Sequence, residues 1–120
     1  MKRKIEGSKY LFYDGDALIL TMALSLKDNT VEIALQGQLR SDAAHSLQDD
    51  LIAMVLMGKD IVLDFKDATY MAPSIQYALQ LTQQKIDTQK KGSLLLRRLP
   101  ENIYQELEET GASEQLKIEE

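Results

Sequence analysis

From Ala17 to Leu26, apolar and polar positions alternate with a period of two. Leu18, Leu20, Met22, Leu24 and Leu26 fall on one side; Ile19, Thr21, Ala23 and Ser25 fall on the other. This spacing predicts a strand. Lys27-Asp28-Asn29 is a turn signal. Val31, Ile33 and Leu35 then alternate with Glu32, Ala34 and Gln36, which predicts a second strand antiparallel to the first. Gly37 ends it, as a glycine does where a side chain would be crowded. Ahead of this pair, Tyr10-Leu11-Phe12-Tyr13 is aromatic and strand-prone, and Asp14-Gly15 is a hairpin signal because glycine supplies positive φ.

Beyond Gly37 the period lengthens. Ala44, Leu47, Leu51, Met54 and Val55 follow helical spacing, Ser41 or Asp42 can cap the start, and Gly58 stands where a left-handed C-cap belongs. Ile61-Val62-Leu63 is short and unbroken by polar residues, which predicts a central parallel strand. The stretch Ile61 to Ser74 organises the rest. It is expected to be a buried strand ending at Asp64-Phe65, a polar loop that surfaces, and a helix whose first turn begins around Pro73 or Ser74. That helix carries Ile75, Ala78, Leu79, Thr82 and Ile86 on one face and ends at Gly92. Ser93 to Leu96 is another apolar strand. Pro100 opens a third helix with Ile103, Tyr104 and Leu107 inward and Gly111 as its C-cap, and Leu116 to Ile118 is a last short strand.

The order is therefore β-β-β-α-β-α-β-α-β. It predicts an α/β fold: a single domain on a mixed β-sheet, with leading antiparallel strands followed by right-handed crossovers. About three helices cannot sheath both faces of such a sheet, so they are expected mainly on one face, with the first hairpin or a partner over part of the other. Residues 1–16 are read as an N-terminal extension that can add an edge strand, and residues 17–120 as the domain.

Composition narrows the function classes. The 120 residues suffice for one core, and 44% hydrophobic with 28% charged residues is an ordinary soluble balance. No apolar run approaches the ~18 residues of a membrane span, so no membrane insertion is expected. Met1-Lys2-Arg3-Lys4 looks like the basic start of a signal peptide, but Ile5-Glu6-Gly7-Ser8-Lys9 interrupts any apolar region after it, and the expected location is the cytoplasm. There is no cysteine, hence no disulfide or thiol chemistry. Net charge is −5, and the basic groups Lys2-Arg3-Lys4, Lys90-Lys91 and Arg97-Arg98 are scattered along the chain, so a nucleic-acid partner is not expected. His45 is the only histidine, so no set of metal ligands converges and no metal is expected. Asp49-Asp50 are consecutive on a helix and point different ways. Asp64 ends a buried strand and is expected to bond nearby loop N–H groups. With no nucleophile–base pair and no glycine-rich phosphate loop, neither a catalytic residue nor a cofactor is expected.

Four stretches together resemble the STAS domain, the module shared by sulphate transporters and anti-sigma-factor antagonists. Val31 to Leu39, with Gly37-Gln38-Leu39, is similar to the family's strand ending in Gly-x-Leu. Ile61 to Phe65 is similar to its central strand with Leu-Asp. Thr69 to Ser74 occupies the place of its Asp-Ser-Ser loop, and Leu107 to Gly111 resembles the helix end that closes the domain. In phospho-regulated members, a serine at the start of the second helix is phosphorylated by a kinase that is also an anti-sigma factor, and the unmodified domain binds that partner. Ser74 falls on that position. The sequence departs from the pattern at Arg40, Ala72, Pro73, Ile75 and Tyr77.

The resemblance implies a non-enzymatic interaction module in signalling and transcription regulation. Its partner is expected to be an anti-sigma factor or serine kinase-like protein, met through Met71, Pro73, Ser74, Tyr77 and Leu81. Ser74 has two roles open to it: phospho-acceptor, or plain helix N-cap. Tyr77 and Leu81 lie opposite the apolar stripe of their helix, either as isolated exposed residues or as a contact surface, and Ile52 and Leu56 are a weaker case of the same kind. A scaffold or transport-complex subunit without phosphorylation, including a homodimer, is the alternative. So is a carrier holding a small apolar molecule between the N-terminal aromatic strand and the sheet.

Overall fold

The computed structural model describes residues 1–119. Seven strands form one sheet in sequence order: β1 (Lys2–Glu6), β2 (Lys9–Asp14), β3 (Ala17–Lys27), β4 (Thr30–Leu39), β5 (Asp60–Met71), β6 (Ser93–Arg97) and β7 (Lys117–Glu119). β1 to β4 pair antiparallel; β4 to β7 pair parallel. The parallel crossovers carry α1 (Ala44–Leu56), α2 (Pro73–Gln89) and α3 (Glu101–Glu109). Each crossover advances one strand in the same direction. With right-handed connections, that puts all three helices on one face, as expected.

The core follows the alternation. Leu20, Met22, Ile33, Leu35, Ile61, Leu63, Leu94 and Leu96 point to the helix side and join one apolar cluster with Leu47, Leu51 and Val55 of α1, Ile75 and Leu79 of α2, and Ile103 and Leu107 of α3. Each full burial of such a side chain contributes roughly 1.5–3 kcal/mol against leaving it in water. The opposite face shows Ser25, Glu32, Gln36 and Lys66 at least partly to solvent. Gly37 is fixed by a close approach: φ is +105°, and an added Cβ would lie 2.2 Å from the backbone oxygen of Ile19.

Five expectations are corrected. The chain before Tyr10 is an additional strand, β1, joined to β2 by a tight turn at Gly7-Ser8. Its five side chains are all exposed and four are charged, so no apolar alternation announces it. The first hairpin widens the sheet rather than covering its other face, and Phe12 within it is 2% exposed in the shared core. The expected surface loop after Phe65 is the second half of β5. β4 does not stop at Gly37 but continues to Leu39, and its backbone supplies partners to β5 as far as Met71, with two shifts of register on the way. Finally, α2 stops before Gly92: Lys90 takes the left-handed turn (φ 56°), its N–H donating to the Ile86 carbonyl at 2.8 Å.

Candidate functional site

The start of α2 is locked to the sheet. Ala72, extended at φ −70° and ψ 153°, is the N-cap residue, and its N–H donates to the Leu39 carbonyl at 2.8 Å. Pro73 follows at the first helical position, where its fixed φ fits and no N–H is missed. Ser74 is thus inside the first turn. The N-cap role considered for it is corrected: Ala72 holds that place, and no side chain caps the helix. Nor does the Ser74 hydroxyl face solvent, as a phospho-acceptor's would. Ser74 is half-buried as a residue, but its Oγ is buried and has no hydrogen-bond partner among the described residues. Met71 is also corrected as a contact residue. It is 2% exposed and belongs to the core, on the helix side of β5 beyond two shifts of register that interrupt the alternation.

Pro73, Tyr77 and Leu81 are spaced four apart and form one stripe along α2. Pro73 is exposed and Tyr77 is 61% exposed. Leu81 is half-buried and lines a shallow groove of about 340 Å³ between the helices, with Ile52 and Gln48 of α1 and Gln84, Lys85 and Thr88 of α2. The structure thus brings Leu81 and Ile52 to one surface, whereas Leu56 is separately exposed near the end of α1. The other flank of α2 is occupied. Gln76 Nε2 donates to Thr110 Oγ1 at 2.8 Å, and Gln80 Nε2 to Gln115 Oε1 at 2.8 Å.

Two features escaped the sequence. Tyr70, 45% exposed at the end of β5, is the outward neighbour of buried Met71; this half of β5, with Ala68 and Met71 buried and Asp67, Thr69 and Tyr70 exposed, keeps no period of two that could have marked it. Arg98, with φ 54°, pairs with Asp64. Asp64 also accepts the Lys66 N–H at 3.0 Å; it lies inside β5 instead of ending a strand as expected, and the N–H it meets belongs to β5 rather than to a loop. Burial pushes the Asp64 carboxyl up, but the Arg98 hydrogen bond, the Lys66 N–H and the charges of Arg98 and Arg97 together hold it below the ordinary carboxylate value. Arg40 bridges Asp14 at 3.0 Å and Asp42 at 2.9 Å, which gives it a structural place of its own. His45, 89% exposed, sits 3.3 Å from Asp49 on the surface of α1. No group of three or more His, Cys, Asp or Glu residues could hold a metal among the described residues. No described helix is long and apolar enough to cross a membrane.

A mixed sheet with its helices on one side, and a second helix launched from a Leu-Asp strand, define the class as STAS. The chain belongs to this family: the profile described as "Mlab, STAS domain" matches residues 22–118. Similar folds are seen in the anti-sigma factor antagonist SpoIIAA of Bacillus in its unphosphorylated form, with TM-score 0.68 and 15% identity over 82% of this chain and 88% of that one. An anti-sigma factor antagonist from Mycobacterium paratuberculosis has TM-score 0.67 and 15% identity over 82% and 84% of the two chains. A proposed antagonist from Thermotoga maritima has TM-score 0.71 and 18% identity over 81% and 84%. No curated protein sequence matches the chain.

Proposed function

We propose that this chain is a non-enzymatic protein-interaction module that docks a kinase-like anti-sigma factor, or a signalling assembly containing one, through the Pro73–Tyr77–Leu81 stripe and Ile52. The observation that carries this is Tyr77, which stands 61% exposed between exposed Pro73 and the Leu81 groove. A tyrosine so placed supplies a large, stiff contact area, and tyrosines are enriched among residues that dominate binding energy. The fold likeness to anti-sigma factor antagonists supports the choice of partner class. In this reading residues 17–120 are the docking module, and residues 1–16 are an addition that completes its core through Phe12.

Ser74 is the position at which such a surface would be switched. A phosphate there would have to turn out of its buried place toward the positive helix end, and its charge would then sit beside Pro73 and Tyr77, where desolvation penalises docking. Burial of the Ser74 hydroxyl favours the second reading, in which the same stripe docks without a switch in a scaffold or transport-complex subunit.

Titration of the purified chain with a candidate kinase-like anti-sigma factor tests the docking. The double variant Tyr77→Asp, Leu81→Asp is expected to weaken association by about tenfold or more; equal affinity would remove the stripe from the account. Incubation with that kinase and ATP, followed by mass spectrometry, separates the two readings: phosphate on Ser74 supports the switch, and its absence leaves the unswitched scaffold.

A further inference from the structure

A second concave site lies at the far end of the sheet. The stripe on α2 starts beside Leu39 and Met71, where β4 and β5 finish. This other site lies beside Val31 and Lys59, where they begin, about 26 Å away at roughly 3.3 Å per strand residue. It is a groove of about 420 Å³ walled by Tyr10, Leu24, Leu26, Val31, Met54 and Met57. Here the twisted N-terminal hairpin draws past the end of α1. The aromatic strand is part of the sheet, so no molecule fits between the two, but Tyr10 forms one wall of the groove beside them.

Two of the apolar walls are conspicuously unprotected. Leu26 is 65% exposed and Met57 69%, and Ile5, paired with Tyr10 across β1 and β2, is 59% exposed. Methionine walls are flexible and polarizable, and suit a chain without fixed shape. One basic residue is also among its walls. Lys59 lines it, is half-buried, and has no ion-pair partner among the described residues. An apolar trough with a single unmatched ammonium is complementary to a molecule with one hydrocarbon chain and one anionic head.

We propose that this groove binds a free single-chain fatty acid, its carboxylate on Lys59 and its chain along Leu24, Leu26, Met54 and Met57. The volume is within the range of small-molecule pockets. The carboxylate replaces water on Lys59 with a charge-assisted hydrogen bond, and the chain covers the exposed leucine and methionine surface. The site is independent of the α2 stripe and stands or falls without it.

The test uses the full chain labelled with ¹³C at its methionine methyl groups, titrated with decanoate and dodecanoate below their micelle concentrations. Met54 and Met57 report the groove; Met71, in the core at the opposite end, is the control. Saturable shifts at Met54 and Met57 with Met71 still are expected. Dodecanoate should bind roughly tenfold more tightly than decanoate, from two more buried CH₂ groups. Lys59→Met should weaken dodecanoate by about tenfold, and Lys59→Arg should retain it. Dodecyltrimethylammonium should bind more weakly than dodecanoate. The proposal is overturned by unsaturable shifts, by shifts that reach Met71 equally, or by indifference to both Lys59→Met and the sign of the head group. It is equally overturned if Met54 and Met57 shift with protein concentration alone, since a second copy would then be the occupant.

Discussion

Arg98 donates through Nε and Nη2 to the two carboxylate oxygens of Asp64, linking the residue after β6 to the middle of β5 from the polar side of the sheet. Asp64 is buried and its partner is half in water. The pair marks where the two parallel strands part, and Arg98 accepts a left-handed φ of 54° to make it.

The folded protein therefore holds a proton on Asp64 less tightly than the unfolded chain does. That gives stability which is fully present above about pH 4, the ordinary carboxylate value, and is lost as pH falls through the depressed one. Asp64→Asn is expected to be less stable than wild type at neutral pH and to converge with it in acid. Asp50 has the opposite slope, because burial raises its carboxyl despite Arg3. Only the difference between the two proteins isolates Asp64. Urea midpoints for both, measured from neutral pH down to about pH 2, would show the convergence; parallel curves would contradict it.

Gly37→Ala should be far more costly than the same change at Gly58. Both have positive φ, but only Gly37 has a backbone oxygen 2.2 Å from the position of the added Cβ, whereas Gly58 has nothing within 4 Å. The expected loss is about 2–4 kcal/mol at Gly37 against about 1 kcal/mol at Gly58. Equilibrium denaturation of the two variants gives the comparison directly.

These two positions show what sequence could and could not display. The alternation from Ala17 to Leu35, the helical stripes and the crowding at Gly37 all report local periodicity or a local backbone demand. They yielded the fold class, the helices on one face and most of the core. β1 and the second half of β5 were not legible. Their strand character comes from backbone pairing to β2 and to the end of β4, not from the charged and polar side chains they carry. The site was half legible. Wheel geometry placed Tyr77 outward, but the side that Met71 faces depended on two shifts of register inside β5, and the orientation of the Ser74 hydroxyl depended on Ala72 taking the cap.

Tyr77 and Leu79 are two residues apart on α2 and should respond oppositely to truncation. Leu79 is fully buried in the core, so Leu79→Ala is expected to cost about 2–5 kcal/mol. Tyr77→Ala removes an exposed ring and should change stability by no more than about 0.5 kcal/mol. Chemical denaturation of both variants checks this. It also secures Tyr77 variants as probes of association, because a lost contact can then not be blamed on a lost fold.

Ser74 gives the most direct check on the geometry at the start of α2. A buried hydroxyl with no partner carries a desolvation penalty that a methyl does not. Ser74→Ala should therefore be neutral or stabilising by up to about 1 kcal/mol, whereas removal of an N-cap serine would cost about 1 kcal/mol. The sign of the change in thermal midpoint decides between the two. Ser74→Asp supplies the complementary measurement. The carboxylate cannot take the buried place of the hydroxyl uncompensated, so it must turn outward toward the positive end of the helix, leaving a small void behind. It should lower the midpoint relative to Ser74→Ala. A Ser74→Ala variant clearly less stable than wild type would mean that the hydroxyl has a hydrogen-bond partner in solution, and the inward orientation would have to be abandoned.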